Sequence, residues 1–249
     1  MPKFAANLTW LFKELPMIER VRAAADAGFK GVEILFPYDV NAQELRDSCV
    51  LNGLKMVLIN SPPPNYTGGE QGWAAQPDQE DRFRRDFKRV LRYAQVLKPE
   101  ILHIMPGVAD GPEAEDCFIR NLEWACEQAP KQQITLEVIN RITMPGYFLH
   151  DYDQAAKILA RVGAPNLALQ LDTFHAHQIT GDVTAIWEAH GAHVAHIQVG
   201  NGDDRHEPGR DPFDHPAFFK MLDTVGYKGW VAGEYAPKTT TEAGLAWIR

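Results

Sequence analysis

Short apolar runs alternate with longer segments of helical-period polarity from one end of the chain to the other. The apolar runs fall at 3–7, 31–35, 54–60, 100–104, 133–138, 166–171, 193–198 and 229–234, and each reads as a buried strand. Between them, amphipathic segments near 16–27, 41–52, 78–97, 113–129, 151–162, 182–190, 214–225 and 239–248 read as helices. Gly28, Gly53, Gly163 and Gly226 stand at the joints where a helix should end before the next strand. Eight strand-helix units predict a parallel sheet closed into a single-domain (β/α)8 TIM barrel spanning residues 1–249.

An open, doubly wound sheet shares this alternation, but its phosphate-binding turn is missing. The first strand runs into Asn7-Leu8-Thr9-Trp10 rather than G-x-G-x-x-G, and no G-x-x-x-x-G-K-[ST] segment occurs, so no organic nucleotide cofactor is expected. Two long loops follow strands and therefore belong to the C-terminal face of a barrel, where active sites are built. The first, 61–77, is rich in Pro and Gly and reads as a lid with Trp73 as its apolar plug. The second, 199–213, concentrates charge and reads as a substrate loop.

Candidate chemistry lies where polar residues end the later strands. Glu137, Asp172, Gln198 and Glu234 close four consecutive strands, and a closed barrel brings their oxygens to one point. A carboxylate at a strand end serves equally well as a helix N-cap or an ion-pair partner. Three gathered together must take up a proton or be compensated by a cation. With only oxygen donors in the set, a divalent metal such as Mg²⁺ or Mn²⁺ fits better than Zn²⁺. His175 follows Asp172 closely enough to share the pocket, and His103 and Glu33 face it from earlier strands, whereas His177, His190 and His193 read as surface or packing residues. The segment Arg205-His206-Glu207 offers a guanidinium for an anionic substrate and an imidazole donor beside it. Two carboxylates flanking a hydroxy-carbonyl compound can move a proton between adjacent carbons, which gives isomerisation or epimerisation without an organic cofactor.

Composition narrows the partners. The 249 residues are 45% hydrophobic and 23% charged, with a formal net charge of −8, which suits a folded protein that repels nucleic acid. Cys49, Cys117 and Cys126 form no C-x-x-C pair, so neither a disulfide framework nor a zinc ribbon is expected. No signal-like N-terminus and no run of ~20 apolar residues is present, so the expectation is a cytoplasmic protein without membrane partners, with room for a homo-oligomer.

The motifs also resemble those of the hydroxypyruvate isomerases within the xylose-isomerase-like barrels. They include Phe4-Ala5-Ala6-Asn7-Leu8, Gly31-Val32-Glu33, Gln170-Leu171-Asp172-Thr173-Phe174-His175, His196-Ile197-Gln198, Arg205-His206-Glu207-Pro208-Gly209 and Gly229-Trp230 with Glu234-Tyr235. The resemblance spans almost the whole chain. It implies interconversion of hydroxypyruvate and 2-hydroxy-3-oxopropanoate, with Glu137 and Glu234 as the acid/base pair and Glu137, Asp172, Gln198 and Glu234 as metal ligands. It implies His175 and Arg205 as substrate contacts, with His206 and Glu207 shaping that loop. After Gly209 this chain departs from the family's usual Thr-Gly-Glu-Ile and reads Arg210-Asp211-Pro212-Phe213. A sister group that isomerises 2-oxo-tetronates is similarly close. Ketose 3-epimerases share the fold, but they generally show a histidine where this chain has Gln198. An abasic-site endonuclease is disfavoured by net charge, and a non-catalytic sugar-acid binder has no use for an opposed pair of glutamates.

Overall fold

All the strands read from the sequence form in the computed structural model, which describes residues 2–61 and 72–249. They are β1 (Lys3–Asn7), β2 (Gly31–Glu33), β3 (Lys55–Met56), β4 (Leu58–Asn60), β5 (Ile101–His103), β6 (Gln133–Glu137), β7 (Leu167–Asp172), β8 (Val194–Val199) and β9 (Trp230–Gly233). Every pairing is parallel, in the order β3-β2-β1-β9-β8-β7-β6-β5-β4. The two ends of that order, β3 and β4, are the single strand expected over 54–60, parted at Val57. Val57 donates to the Val32 carbonyl at 2.7 Å and accepts from the Ile101 N–H at 2.8 Å, while Ile34 donates to Leu58 and Asn60 to Leu35. The sheet therefore closes on itself as a TIM barrel, with its third strand in two pieces.

Helices α1 (Met17–Asp26), α2 (Ala42–Leu51), α3 (Glu80–Leu97), α4 (Pro112–Gln128), α5 (Tyr152–Val162), α6 (Thr173–Thr180), α7 (Val183–His190) and α8 (His215–Thr224) surround the barrel. Each long helix turns an apolar stripe to the sheet, as α3 does with Phe83, Phe87, Val90, Ala94 and Leu97. Asn41, Asp151, Asp182 and Asp214 cap their helices by accepting backbone N–H bonds, and Gly163, at φ 61°, closes α5. Two elements differ from expectation. Helix α6 is additional, and the segment expected as a final helix over 239–248 is a 3-10 turn, Glu242–Ile248, broken at Leu245.

Inside the barrel, Ala5, Val57, Leu58, Ile101, Trp230 and Ala232 form a small apolar plug, with Leu35 packed on it. A Cβ on Gly31 would lie 2.6 Å from Val57 and 2.9 Å from the Trp230 ring, so this position in β2 has to lack a side chain. The three cysteines are buried and unpaired, and burial pushes each thiol up to about 11. Among the described residues, no helix is long and apolar enough to cross a membrane.

Candidate active site

Glu137 ends β6, Asp172 ends β7, Gln198 lies in β8 and Glu234 directly follows β9. Parallel pairing places Asp172 beside Gln198, and all four side chains are buried at the C-terminal mouth of the barrel. Asp172 is at once the last residue of a strand and the N-cap of α6: its Oδ1 accepts from the Phe174 N–H at 2.8 Å, leaving Oδ2 for the site. One turn along α6, His175 reaches the same place, with Nε2 3.8 Å from both Asp172 Oδ2 and Glu137 Oε1. The missing loop between Asp172 and the helix is what brings His175 so close.

A layer of amides supports these acids from below. Asn7 Nδ2 donates to Glu33 Oε1 at 2.7 Å and to Glu234 Oε2 at 2.8 Å. Gln198 Nε2 donates to the same two carboxylates, to Glu33 at 2.7 Å and to Glu234 at shorter range. His196 Nε2 meets the second Glu33 oxygen at 2.7 Å. Gln170 Nε2 joins Glu137 Oε2 to Gln198 Oε1, and its own carbonyl accepts from the Thr135 hydroxyl at 3.1 Å. The amide nitrogens of Asn7 and Gln198 both face Glu33 and Glu234, which accept from them. Glu33 is thereby the anchor of the layer.

Arg205 closes the site from the loop after β8. Its Nη2 donates to Asp172 Oδ2 at 2.9 Å and to Glu234 Oε1 at 2.6 Å, between the rings of Trp10 and Phe174. The residue sits at φ 53°, a conformation non-glycine residues rarely adopt, and its neighbours hold it there. Ala236 N–H donates to the Arg205 carbonyl, His206 Nδ1 bonds the Ala236 carbonyl at 2.6 Å, and Glu207 Oε1 accepts from Lys238 N–H. Burial works against the guanidinium charge, but Asp172 and Glu234 keep its pKa above the usual value. Burial and then the charges of Glu234 and Asp172 push Glu137 well above the carboxylate range. Glu234, raised chiefly by burial against the pull of Arg205, titrates at about 8.

One guanidinium does not balance this set of acids, and the donors suit a divalent cation. Ligand atoms of Glu137, Asp172 and His175 all lie within 4.8 Å of one another. The hydrogen bonds separate His175 from the other two. Asn140 Oδ1 accepts from the N–H groups of Ile142 and Thr143, which turns Asn140 Nδ2 to His175 Nδ1 at 2.6 Å. Nδ1 is therefore the acceptor, and Nε2 carries the hydrogen that faces the acids. Burial lowers His175 to about 4, so near neutrality it is an uncharged donor.

Above these groups lies a cavity of about 220 Å³. Glu137, His175, Arg205, Glu234, Asn60 and Thr143 give it polar walls, and Trp10, Leu35, Phe36, Met105, Ile139 and Met144 enclose the remainder. Residues 21–249 match the family described as xylose isomerase-like TIM barrel. The chain belongs to that family. It is 40% identical to the 2-oxo-tetronate isomerase of Cupriavidus necator, covering 100% of this chain and 98% of that protein. It is 34% identical to the hydroxypyruvate isomerase of Escherichia coli K12, again over 100% of this chain and 98% of the relative. A crystal structure named AP endonuclease, family 2, from Brucella melitensis shares 41% identity and superposes with a TM-score of 0.95, covering 100% and 98% of the two chains. Such full-length likeness to isomerases makes this member of the xylose isomerase-like barrels an isomerase.

In this isomerase, Glu137, Asp172, Gln198, Glu234, His175 and Arg205 converge as the strand ends foretell. Of these, Asp172 and Gln198 do not line the cavity itself, and neither do Glu33, His103, His206 and Glu207. His103 lies behind Asn60, with Nδ1 3.1 Å from Asn60 Oδ1. His206 and Glu207 face the segment after β9 and fasten the loop that presents Arg205. Trp73 packs beneath the Arg82 guanidinium instead of lining the cavity, and residues 62–71, the body of the expected lid, lie outside the described residues. The departure at Arg210–Phe213 also points away: Arg210 pairs with Asp214, and Phe213 packs on His215 and Phe218. Sequence reasoning passed over Asn7, Asn60, Gln170, Thr135 and His196. A signal for three of them existed, because Thr135, Gln170 and His196 each sit two residues before a proposed ligand and so share its face of the strand.

Proposed function

We propose that this isomerase moves a proton between C2 and C3 of a short 2-oxo acid that carries a hydroxyl on C3. Hydroxypyruvate, giving 2-hydroxy-3-oxopropanoate, is the three-carbon form, and a 2-oxo-tetronate is the four-carbon form. The observation that carries the reading is a pair of buried glutamates, Glu137 and Glu234, both raised in pKa and both on the wall of one small cavity that also presents Arg205 and His175. One glutamate takes the C3 proton, the electron pair becomes the C2–C3 double bond of an enediolate, and the other delivers a proton to C2 as the hydroxyl proton passes from O3 to O2. Arg205 pairs with the substrate carboxylate, and the His175 Nε2–H donates to a substrate oxygen. Apolar walls keep water from protonating the intermediate at random. Glu137, Asp172, Gln198 and Glu234 would hold a divalent cation, Mg²⁺ or Mn²⁺ before Zn²⁺, whose charge stabilises the enediolate. Gln198 Oε1 keeps a lone pair beyond the one used by Gln170.

The name of the Brucella structure points to nucleic acid, whereas a net charge of −8 and a cavity of this size support a small anion for this chain. Glu234→Gln and Glu137→Gln test the proposal. Each should abolish net isomerisation while the circular dichroism spectrum is kept, and isomerisation retained in either variant removes that residue from the pair.

A further inference from the structure

Asn60 is a polar residue of the cavity for which the chemistry above has no use. It ends β4, is 3% exposed, and lines the cavity beside Leu35, Phe36 and Met105. His103 Nδ1 lies 3.1 Å from Asn60 Oδ1 and 3.8 Å from Glu137 Oε2, and the tautomer with its hydrogen on Nδ1 donates to Asn60. That leaves Asn60 Nδ2, on the wall of the cavity, with only the Met105 sulfur, 3.8 Å away, as acceptor among the described residues. A thioether is a weak acceptor, and a buried N–H₂ left so nearly unpaired costs stability unless a ligand satisfies it.

Topology sets what that ligand group is. Asn60 belongs to the third strand of the closed barrel and Arg205 follows the seventh, four strands away in either direction, so the two face each other across the mouth. With a substrate carboxylate at Arg205 and the reacting carbons between Glu137 and Glu234, Asn60 meets the far end of the molecule. In a three-carbon acid that end is C3 itself, whose oxygen takes part in the reaction. Only a fourth carbon places a spectator hydroxyl beyond it.

We infer that Asn60 is a specificity-determining residue that donates from Nδ2 to the terminal hydroxyl of a four-carbon 2-oxo acid, oriented by His103 behind it. The assignment rests on the isomerase reading above. A site built to hydrogen-bond a hydroxyl discriminates strongly against the analogue that lacks it. The four-carbon acid is therefore the better substrate.

The test compares kcat and KM for hydroxypyruvate and a 2-oxo-tetronate in the metal-loaded full chain, as wild type, Asn60→Ala and Asn60→Ser, with metal affinity measured by calorimetry. The wild type should favour the four-carbon acid. Asn60→Ala should lower its kcat/KM about ten-fold more than that of hydroxypyruvate, largely through KM. Asn60→Ser, which keeps a donor on a shorter arm, should fall between. General damage to the fold would depress both acids together and weaken metal binding. A wild type that prefers hydroxypyruvate, or a ratio unmoved in both variants, overturns the role of Asn60 and leaves the isomerase standing. A wild type that turns over neither acid and incorporates no deuterium overturns the isomerase reading itself, and this assignment with it.

Discussion

Asp172 spends its two oxygens on different tasks, one capping α6 and the other holding Arg205, which makes the two contributions separable by substitution. Asp172→Asn keeps the capping oxygen and loses the charge, while Asp172→Ala loses both. Urea unfolding should find the alanine variant less stable than the asparagine variant by about 1 kcal/mol, the worth of the cap. Arg205 gives a sharper contrast, since it is the cation that Asp172 and Glu234 share. In chelator, Arg205→Met should lose about 3 kcal/mol at pH 8 and less at pH 6, where the stranded carboxyls take up protons, and added divalent cation should restore most of the loss. A variant as stable as wild type in chelator at pH 8 would mean the guanidinium does not balance these acids. At this scale the sequence was most legible for carboxylates that recur at successive strand ends, since charges so placed need a common partner. Asn7 and Asn60 were not legible. A neutral amide within an apolar strand carries no net charge, and its value depends on neighbours such as Glu33 that only the fold supplies.

At the scale of elements, the strands were legible because barrel strands buried on both faces are continuous apolar runs bounded by polar turns. Helix α6 was not, because it starts directly at the end of β7 and buries Thr173, Phe174, His175 and Ala176 in succession, so no amphipathic period marks it. The last segment fails for another reason: Leu245 and Trp247 anchor it to the barrel, and the kink at Leu245 breaks the regular helix that its pattern suggests. A methyl group on Gly31 would press on Val57 and on the Trp230 ring. Gly31→Ala should therefore destabilise the barrel by about 1–3 kcal/mol in thermal or urea unfolding. A neutral effect would show that the plug can shift to accept a methyl group.

Across the whole molecule, two sets of buried groups set opposing pH dependences. Burial lowers His103 to about 3 and His175 and His215 to about 4, each from 6.5. The unfolded chain binds more protons at these sites, so their contribution to stability grows as pH rises from about 4 to 6.5 and is complete above it. Glu234 is raised from 4.5 to about 8, and Glu137 is also raised, so there the folded chain binds more protons and stability falls as pH rises across that interval. Between pH 6.5 and 8 only the second trend remains. The chelated protein should lose melting temperature over that range, Glu234→Gln should flatten the loss, and metal affinity should climb with pH as the acids give up their protons. The central claim, proton transfer between adjacent carbons by a metal-loaded pair of glutamates, is met most directly by proton NMR in D₂O. Metal-analysed wild type would be mixed with hydroxypyruvate and, separately, with a 2-oxo-tetronate, before and after chelation. Isomerisation with deuterium appearing at the product's carbon, lost on chelation and restored by Mg²⁺ or Mn²⁺, is the predicted result. Turnover that survives complete removal of metal, or no deuterium incorporation from either acid in metal-replete protein, would contradict it.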